Sequence, residues 1–214
     1  MQQESLKWGH YYHIYNRGIN SCDLFYESDN YVHFLGLYDK YVSPVAETFA
    51  WVLMPNHFHL LVRVKMEAEF FSEVKPDPVI NIVDSRNLTG FQNLSGLKPP
   101  HQHFSNLFNS YSKALNKRIG RHGALFERPF ERKLIDNTSY LKQVILYIHN
   151  NPVHHRFCSH PLEYPWSSYL SCISVKPTRL KRETVIGWFD NRANFKNMHN
   201  QIIDIDRIEK YLKF

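Results

Sequence analysis

In the first third of the chain two β-rich runs, TFAWVLMP and HFHLLVRV, meet at Pro55-Asn56. Runs rich in β-branched and aromatic residues that meet at two turn formers make a tight hairpin. The second run constrains its surroundings most, because side chains alternate along a strand and give it two unlike faces. Phe58, Leu60, Val62 and Val64 share one face; His57, His59, Leu61 and Arg63 share the other. The apolar set belongs against helices, which leaves the histidines on the opposite, less covered face.

The flanking segments complete a pattern. GHYYHIYNRG reads as a first strand closing on a glycine turn, and SDNYVHFLGLYDKYV as an amphipathic helix capped by Ser28 or Asp29. After the hairpin, the stretch 66–100 lacks periodicity and reads as a long loop insertion. FSNLFNSYSKALNKRIG places Phe104, Leu107, Phe108, Tyr111 and Leu115 on one helical face and stops near Gly120; RPFERKLI then reads as a strand. NTSYLKQVILYIHNNP is a third helix, capped by Asn137 or Thr138 and ended by Pro152. The order strand, helix, strand, strand, helix, strand predicts an α+β fold, a ferredoxin-like sandwich: an antiparallel sheet with helices on one face, plus an additional helix. Residues 1–174 are expected to form one catalytic domain, and 175–214 a C-terminal extension.

Hydrophobic residues at 43% and aromatics at 15% exclude a disordered chain. No apolar run reaches the length that spans a bilayer and the first residues lack a signal segment, so a cytoplasmic protein without a membrane partner is expected. Cys22, Cys158 and Cys172 are odd in number and widely spaced, which fits reduced thiols. A net charge of +6 favours a polyanionic partner. Between His101 and Leu134 the basic Lys113, Lys117, Arg118, Arg121, Arg128, Arg132 and Lys133 face only Glu127 and Glu131, with Phe126 and Phe130 interleaved. A solvated helix face beside a charged edge strand accounts for any one of them equally well.

Two constellations carry chemistry. The Cα atoms of His57 and His59 should lie roughly 6.5 to 7 Å apart along the strand, close enough for two imidazoles to grip one metal ion. A chain with 13 histidines also produces such a pair by chance. On the third helix, Tyr147 falls at the margin of the stripe formed by Tyr140, Leu141, Val144, Ile145 and Ile148, and Asn151 lies four residues on. A tyrosine there can pack by its ring while its hydroxyl reaches a cleft, or be plain core edge; an asparagine before proline can be a helix stop. Tyr111 and Tyr140 lie within apolar stripes and should be buried. His149 points about 200° round the helix from Tyr147.

The stretches YHIYNRG, WVLMPNHFHLLV, GALFERPFERKLI and YLKQVILYIHNNPV followed by YPWSSY, from about residue 11 to 169, carry a resemblance. The chain resembles the HUH single-tyrosine transposases of bacterial insertion sequences, and more closely the REP-associated tyrosine transposases. The ferredoxin-like sandwich is the family's fold. The resemblance puts the family's metal-binding histidines on His57 and His59, its nucleophile on Tyr147 and its polar third ligand on Asn151. It implies a metal-dependent transesterase of single-stranded DNA that recognises hairpins and cuts and rejoins strands through a 5′-phosphotyrosine intermediate, with Mg²⁺ or Mn²⁺ as cofactor. The tail beyond Val175 matches nothing recognised in the family, and the loop from Glu67 to Pro100 is longer than the family usually carries.

Arg17, Arg118, Arg121, Arg128 and Arg132 are the candidates for phosphate contacts, and Tyr15, Phe126 and Trp166 for stacking on unpaired bases. Insertion-sequence relatives act as homodimers and REP-associated relatives as monomers; nothing in the residues decides between the two. The alternative from another class is a domesticated protein that binds hairpin DNA without cleaving it. An RNA-binding module is disfavoured, because the aromatic residues of the RNA-recognition signature are absent.

Overall fold

The computed structural model describes residues 5–73 and 98–201. Strands β1 (Tyr11–Arg17), β2 (Ala46–Met54), β3 (His57–Val64) and β4 (Glu131–Ile135) form one antiparallel sheet in the order β2-β3-β1-β4. Helix α1 (Ser28–Tyr41) links β1 to β2, and α3 (Pro100–Ile119) precedes β4. Two split β-α-β units interleaved in this strand order make the expected α+β ferredoxin-like sandwich. Among the described residues no helix is long and apolar enough to cross a membrane.

Helices α1 and α3 cover one sheet face. Tyr12, Ile14, Phe58, Leu60 and Val62 meet Phe34 and Tyr38 of α1 and Phe104, Phe108 and Tyr111 of α3 in one apolar cluster. Glu27 and not Ser28 or Asp29 is the N-cap of α1, because Asn30 accepts from the backbone N–H groups of Tyr26 and Glu27 and sets the first turn one residue earlier. Helix α3 stops where expected, at Gly120, whose φ of 65° is the left-handed conformation that glycine adopts without strain.

The other sheet face is also covered, against expectation. Helix α4 (Thr138–His154) lies across β2 and β3, and behind it come α5 (Tyr169–Ile173), α6 (Arg182–Trp188) and α7 (Arg192–His199). Val52, Met54 and Leu61 pack with Val144, Ile145 and Ile148 of α4 and with Leu180, Val185, Phe189 and Phe195 from the C-terminal segment. Paired on both edges and covered on both faces, β3 is buried at Phe58 through Val62 without interruption.

Two further expectations are corrected. Residues 67–73, at the start of the predicted loop, form helix α2 (Glu67–Glu73), while 74–97 lie outside the described residues. Pro152 does not end the third helix, which runs on to His154 with Asn137 as its cap, accepting from Tyr140 N–H at 2.7 Å. A proline removes one N–H but leaves its own carbonyl as an acceptor; Phe157 N–H bonds Pro152 O at 2.8 Å and closes the last turn.

A buried chain of side chains ties α7 to the sheet. His199 Nδ1–H donates to Phe195 O at 2.7 Å, so its Nε2 accepts from His149 Nδ1–H at 2.9 Å. His149 Nε2 then accepts from Ser168 Oγ–H at 2.7 Å, and Ser168 Oγ accepts from Trp51 N–H at 2.8 Å. Burial lowers the His149 pKa well below its usual range and that of His199 to about 4, so both rings are neutral and each proton has one place.

Candidate active site

The β1–β3 register sets Arg17 opposite His57 and Tyr15 opposite His59. Odd-numbered residues of β1 therefore share the histidine face of the sheet: His13 and Tyr15 stand beside His59, and Arg17 stands at the rim beside His57. From above, α4 lowers Tyr147 and Asn151 onto the same face. The ring centroids of His57 and His59 are 5.2 Å apart, and the Tyr147 ring is 5.2 Å from His59 with its edge toward it. Asn151 Oδ1 lies 2.9 Å from His57 Nε2. The four residues singled out from sequence spacing, on two distant segments, thus form one group.

Its setting differs from the expected one. Tyr147 is 2% exposed and His59 equally so, since α4 and the C-terminal helices roof this side of the sheet. Tyr147 lies inside the core, not at the margin of a cleft. Burial is the main cause that lowers the His57 pKa to about 4, that of His13 to about 3 and that of His59 well below 6.5. All three imidazoles are neutral at pH 7.

Neutrality bears on whether a cation fits. His57 lies between two carboxamide oxygens, Asn56 Oδ1 2.7 Å from Nδ1 and Asn151 Oδ1 2.9 Å from Nε2, and its neutral ring has one proton for the two; with that proton on Nδ1, the Nε2 lone pair would be open to a cation. Nε2 and Asn151 Oδ1 stand 2.9 Å apart, and cis ligands on an octahedral ion with bonds near 2.1 Å stand about 3.0 Å apart. Asn151 Nδ2 is buried without a hydrogen-bond partner, so the amide is held by what its oxygen faces. Among the described residues no group of three or more His, Cys, Asp or Glu side chains forms a metal site, so the donor set is two imidazoles and one amide oxygen. This mixed nitrogen and oxygen set fits a hard or borderline divalent ion that keeps other positions for water or phosphate.

Three more neighbours belong to the site, of which the sequence reading names Tyr15 alone, and only for base stacking. His13 is fully buried and its Nε2 meets His59 Nδ1 at 3.1 Å. The exposed ring of His155, the C-cap of α4, lies 5.1 Å from His57. Tyr15, half-buried, is a second phenol, 5.7 Å from His59; burial first and then Glu131 across the strand pair push its pKa up to about 12. The alternation of β1 held the signal for His13 and Tyr15, but only the register brings them to His59. Tyr111 is buried on the far side of the sheet with its hydroxyl on Leu24 O, and His149 is engaged in the α7 chain.

The basic candidates divide by face. Arg17 is exposed beside His57 and its Nε donates to Glu127 at 2.7 Å. Arg118 pairs with Glu27 at 2.7 Å near the start of α1, and Arg121 donates to Asn116 just past α3. Arg132 aligns with Ile14, which puts it on the α3 face; with Arg128, Asn16, Ser105 and Asn109 it lines a cleft of about 330 Å³. Of the proposed stacking residues, Phe126 is buried in the α3 core and Trp166 is already stacked on Tyr31 at 4.4 Å, which corrects both; Tyr15 keeps a partly exposed ring.

No protein-family model matches the chain, and no curated protein matches its sequence. Its fold is similar to a solved structure of a REP-associated tyrosine transposase bound to a REP hairpin, with a TM-score of 0.56 and 14% identity over 83% of this chain and 88% of that one.

Proposed function

We propose that this protein is a metal-dependent transesterase of single-stranded DNA, of the tyrosine transposase type, acting on hairpin-bearing strands. The observation that carries the reading is the convergence of Tyr147, His57, His59 and Asn151 from two distant elements onto one face of the sheet. The likeness to a hairpin-bound structure supports the partner, and the basic balance of the chain supports a polyanion.

His57, His59 and Asn151 would hold Mg²⁺ or Mn²⁺, which when bound supplies a positive charge at the scissile phosphate. Tyr147 supplies the nucleophile: its phenol oxygen forms a bond to phosphorus as the bond to the 3′ oxygen breaks, and the phenol proton ends on the freed 3′-hydroxyl. One phosphoester replaces another, so a second 3′-hydroxyl reverses the step and joins strands without a nucleotide cofactor. Arg17 at the rim would contact phosphates flanking the cut, and the cleft beside Arg128 and Arg132 suits backbone contacts away from it. With Tyr147 buried in the protein alone, strand entry must lift α4 or part of its roof.

That burial also favours a second reading, a protein that binds hairpins without cutting. Incubation with hairpin-bearing single-stranded DNA and Mn²⁺, followed by a denaturing gel, separates the two. A covalent protein–DNA band that disappears in Tyr147→Phe while hairpin binding persists is expected. Binding without any band would favour the non-cleaving protein. A band lost in Tyr15→Phe and kept in Tyr147→Phe would move the nucleophile to the other phenol beside His59.

A further inference from the structure

We infer that His13 is a positioning residue of this site: it accepts the Nδ1–H of His59 on its own Nε2 and so holds His59 in the tautomer that can bind a cation. The inference rests on the proposed metal site and goes beyond its ligands.

His13 Nε2 and His59 Nδ1 stand 3.1 Å apart with both rings buried, a hydrogen-bond distance that one proton on one of the two nitrogens accounts for. Two arrangements satisfy it. If His13 donates, His59 carries its own proton on Nε2 and has no lone pair to offer, since Nδ1 is engaged with His13. If His59 donates, its lone pair sits on Nε2 and ligation becomes available. A metal-binding histidine generally gives its other ring N–H to an acceptor in this way, which fixes both tautomer and ring orientation. For His57 the acceptor is Asn56 Oδ1, and for His59 it is His13 Nε2.

The cost of the arrangement falls on His13. Its proton must then sit on Nδ1, a buried atom with no hydrogen-bond partner. A fully buried histidine with one ring nitrogen unpaired is a poor core residue, where an aromatic hydrocarbon of similar size would pack without leaving a polar group unpaired. Its ring contacts are with Tyr15 at 5.0 Å, His59 at 5.1 Å and Tyr147 at 6.1 Å, all members of the site. The position is thus explained by what its Nε2 accepts.

The test is Mn²⁺ affinity, read from the electron paramagnetic resonance signal of free Mn²⁺, in the wild type, His13→Phe and His13→Gln. The wild type should bind; His13→Phe should bind about 10 to 100-fold more weakly, the usual effect of removing such a partner. His13→Gln, whose carbonyl can reach the place of Nε2, should recover most of the loss. Equal affinity in the wild type and His13→Phe would overturn the inference alone. A wild type that binds no Mn²⁺ would overturn the metal reading and the inference with it. Should His13→Phe fail to fold, nitrogen-15 spectra of wild-type histidines with Mg²⁺ decide: Nδ1–H on His59 supports the inference, and Nε2–H sinks it.

Discussion

Asn151 is the polar side chain that faces Nε2 of the His57 ring. It presents an uncharged oxygen 2.9 Å from Nε2, and burial outweighs that contact, holding the His57 pKa at about 4. Replacing the amide by a carboxylate in Asn151→Asp would place an opposite charge against the imidazolium and favour it. The His57 pKa is expected to rise by about 1 to 3 units, visible by proton NMR titration of the ring, and Mn²⁺ should bind more tightly. Asn151→Leu, which removes the contact without adding charge, should leave the pKa low. A pKa unmoved in the aspartate variant would mean that Oδ1 does not face Nε2 in solution. These residues were legible in sequence because each spacing lies within one element: His57 and His59 two apart on a strand, Tyr147 and Asn151 four apart on a helix. His13, Tyr15 and His155 were not, because their proximity to the pair is a matter of strand register and of where the last turn of α4 ends, and neither is written in any local spacing.

At the scale of elements, the roof over the histidine face hangs on few polar contacts. In the run from Trp51 through Ser168 and His149 to His199, every donor has one acceptor. His199→Phe keeps a ring between Phe195 and Tyr169 but strands the His149 Nδ1–H in the core. A loss of about 1 to 3 kcal/mol in urea unfolding is expected from the unpaired donor. His149→Phe combined with His199→Phe should cost less than the two singles added, because both ends of that bond then go together. Additive losses would show that the two rings are not coupled. The six elements of the sandwich could be read from the sequence through the alternation of β3, the apolar stripe of α3 and the Gly120 stop. The roof could not. Helices α6 and α7 span 7 and 8 residues, too short for a helical period to stand out. The second half of α4, buried all round from Leu146 to Pro152, carries polar residues that find their partners only in the folded chain.

Across the whole molecule, the same feature recurs in two places: His13, His57 and His59 beneath α4, and His149 on α4 with His199 on α7, are five imidazoles kept neutral by burial. Each has a folded-state pKa below the 6.5 of an exposed imidazole, so below that pH the unfolded chain binds more protons than the native one, and stability falls as pH falls. Stability from these groups is fully present above pH 6.5 and is lost progressively toward the folded pKa values, which are about 4 for His57 and His199 and about 3 for His13. At pH 5 a group with a folded pKa of about 3 to 4 forfeits about 2 kcal/mol, so His13, His57 and His199 together take a large share of the margin of an ordinary domain, about 5 to 15 kcal/mol. Urea unfolding free energy should therefore fall steeply between pH 7 and pH 5, before most carboxylates titrate. A flat profile over that range would mean that the imidazoles reach water in the native state. Ligation adds a distinguishing arm, because a cation on His57 and His59 competes with protons and binds only the folded chain. Millimolar Mn²⁺ should move the acid transition of the wild type to lower pH and leave that of His57→Phe in place. An equal shift in both would assign the effect to a site elsewhere on the protein.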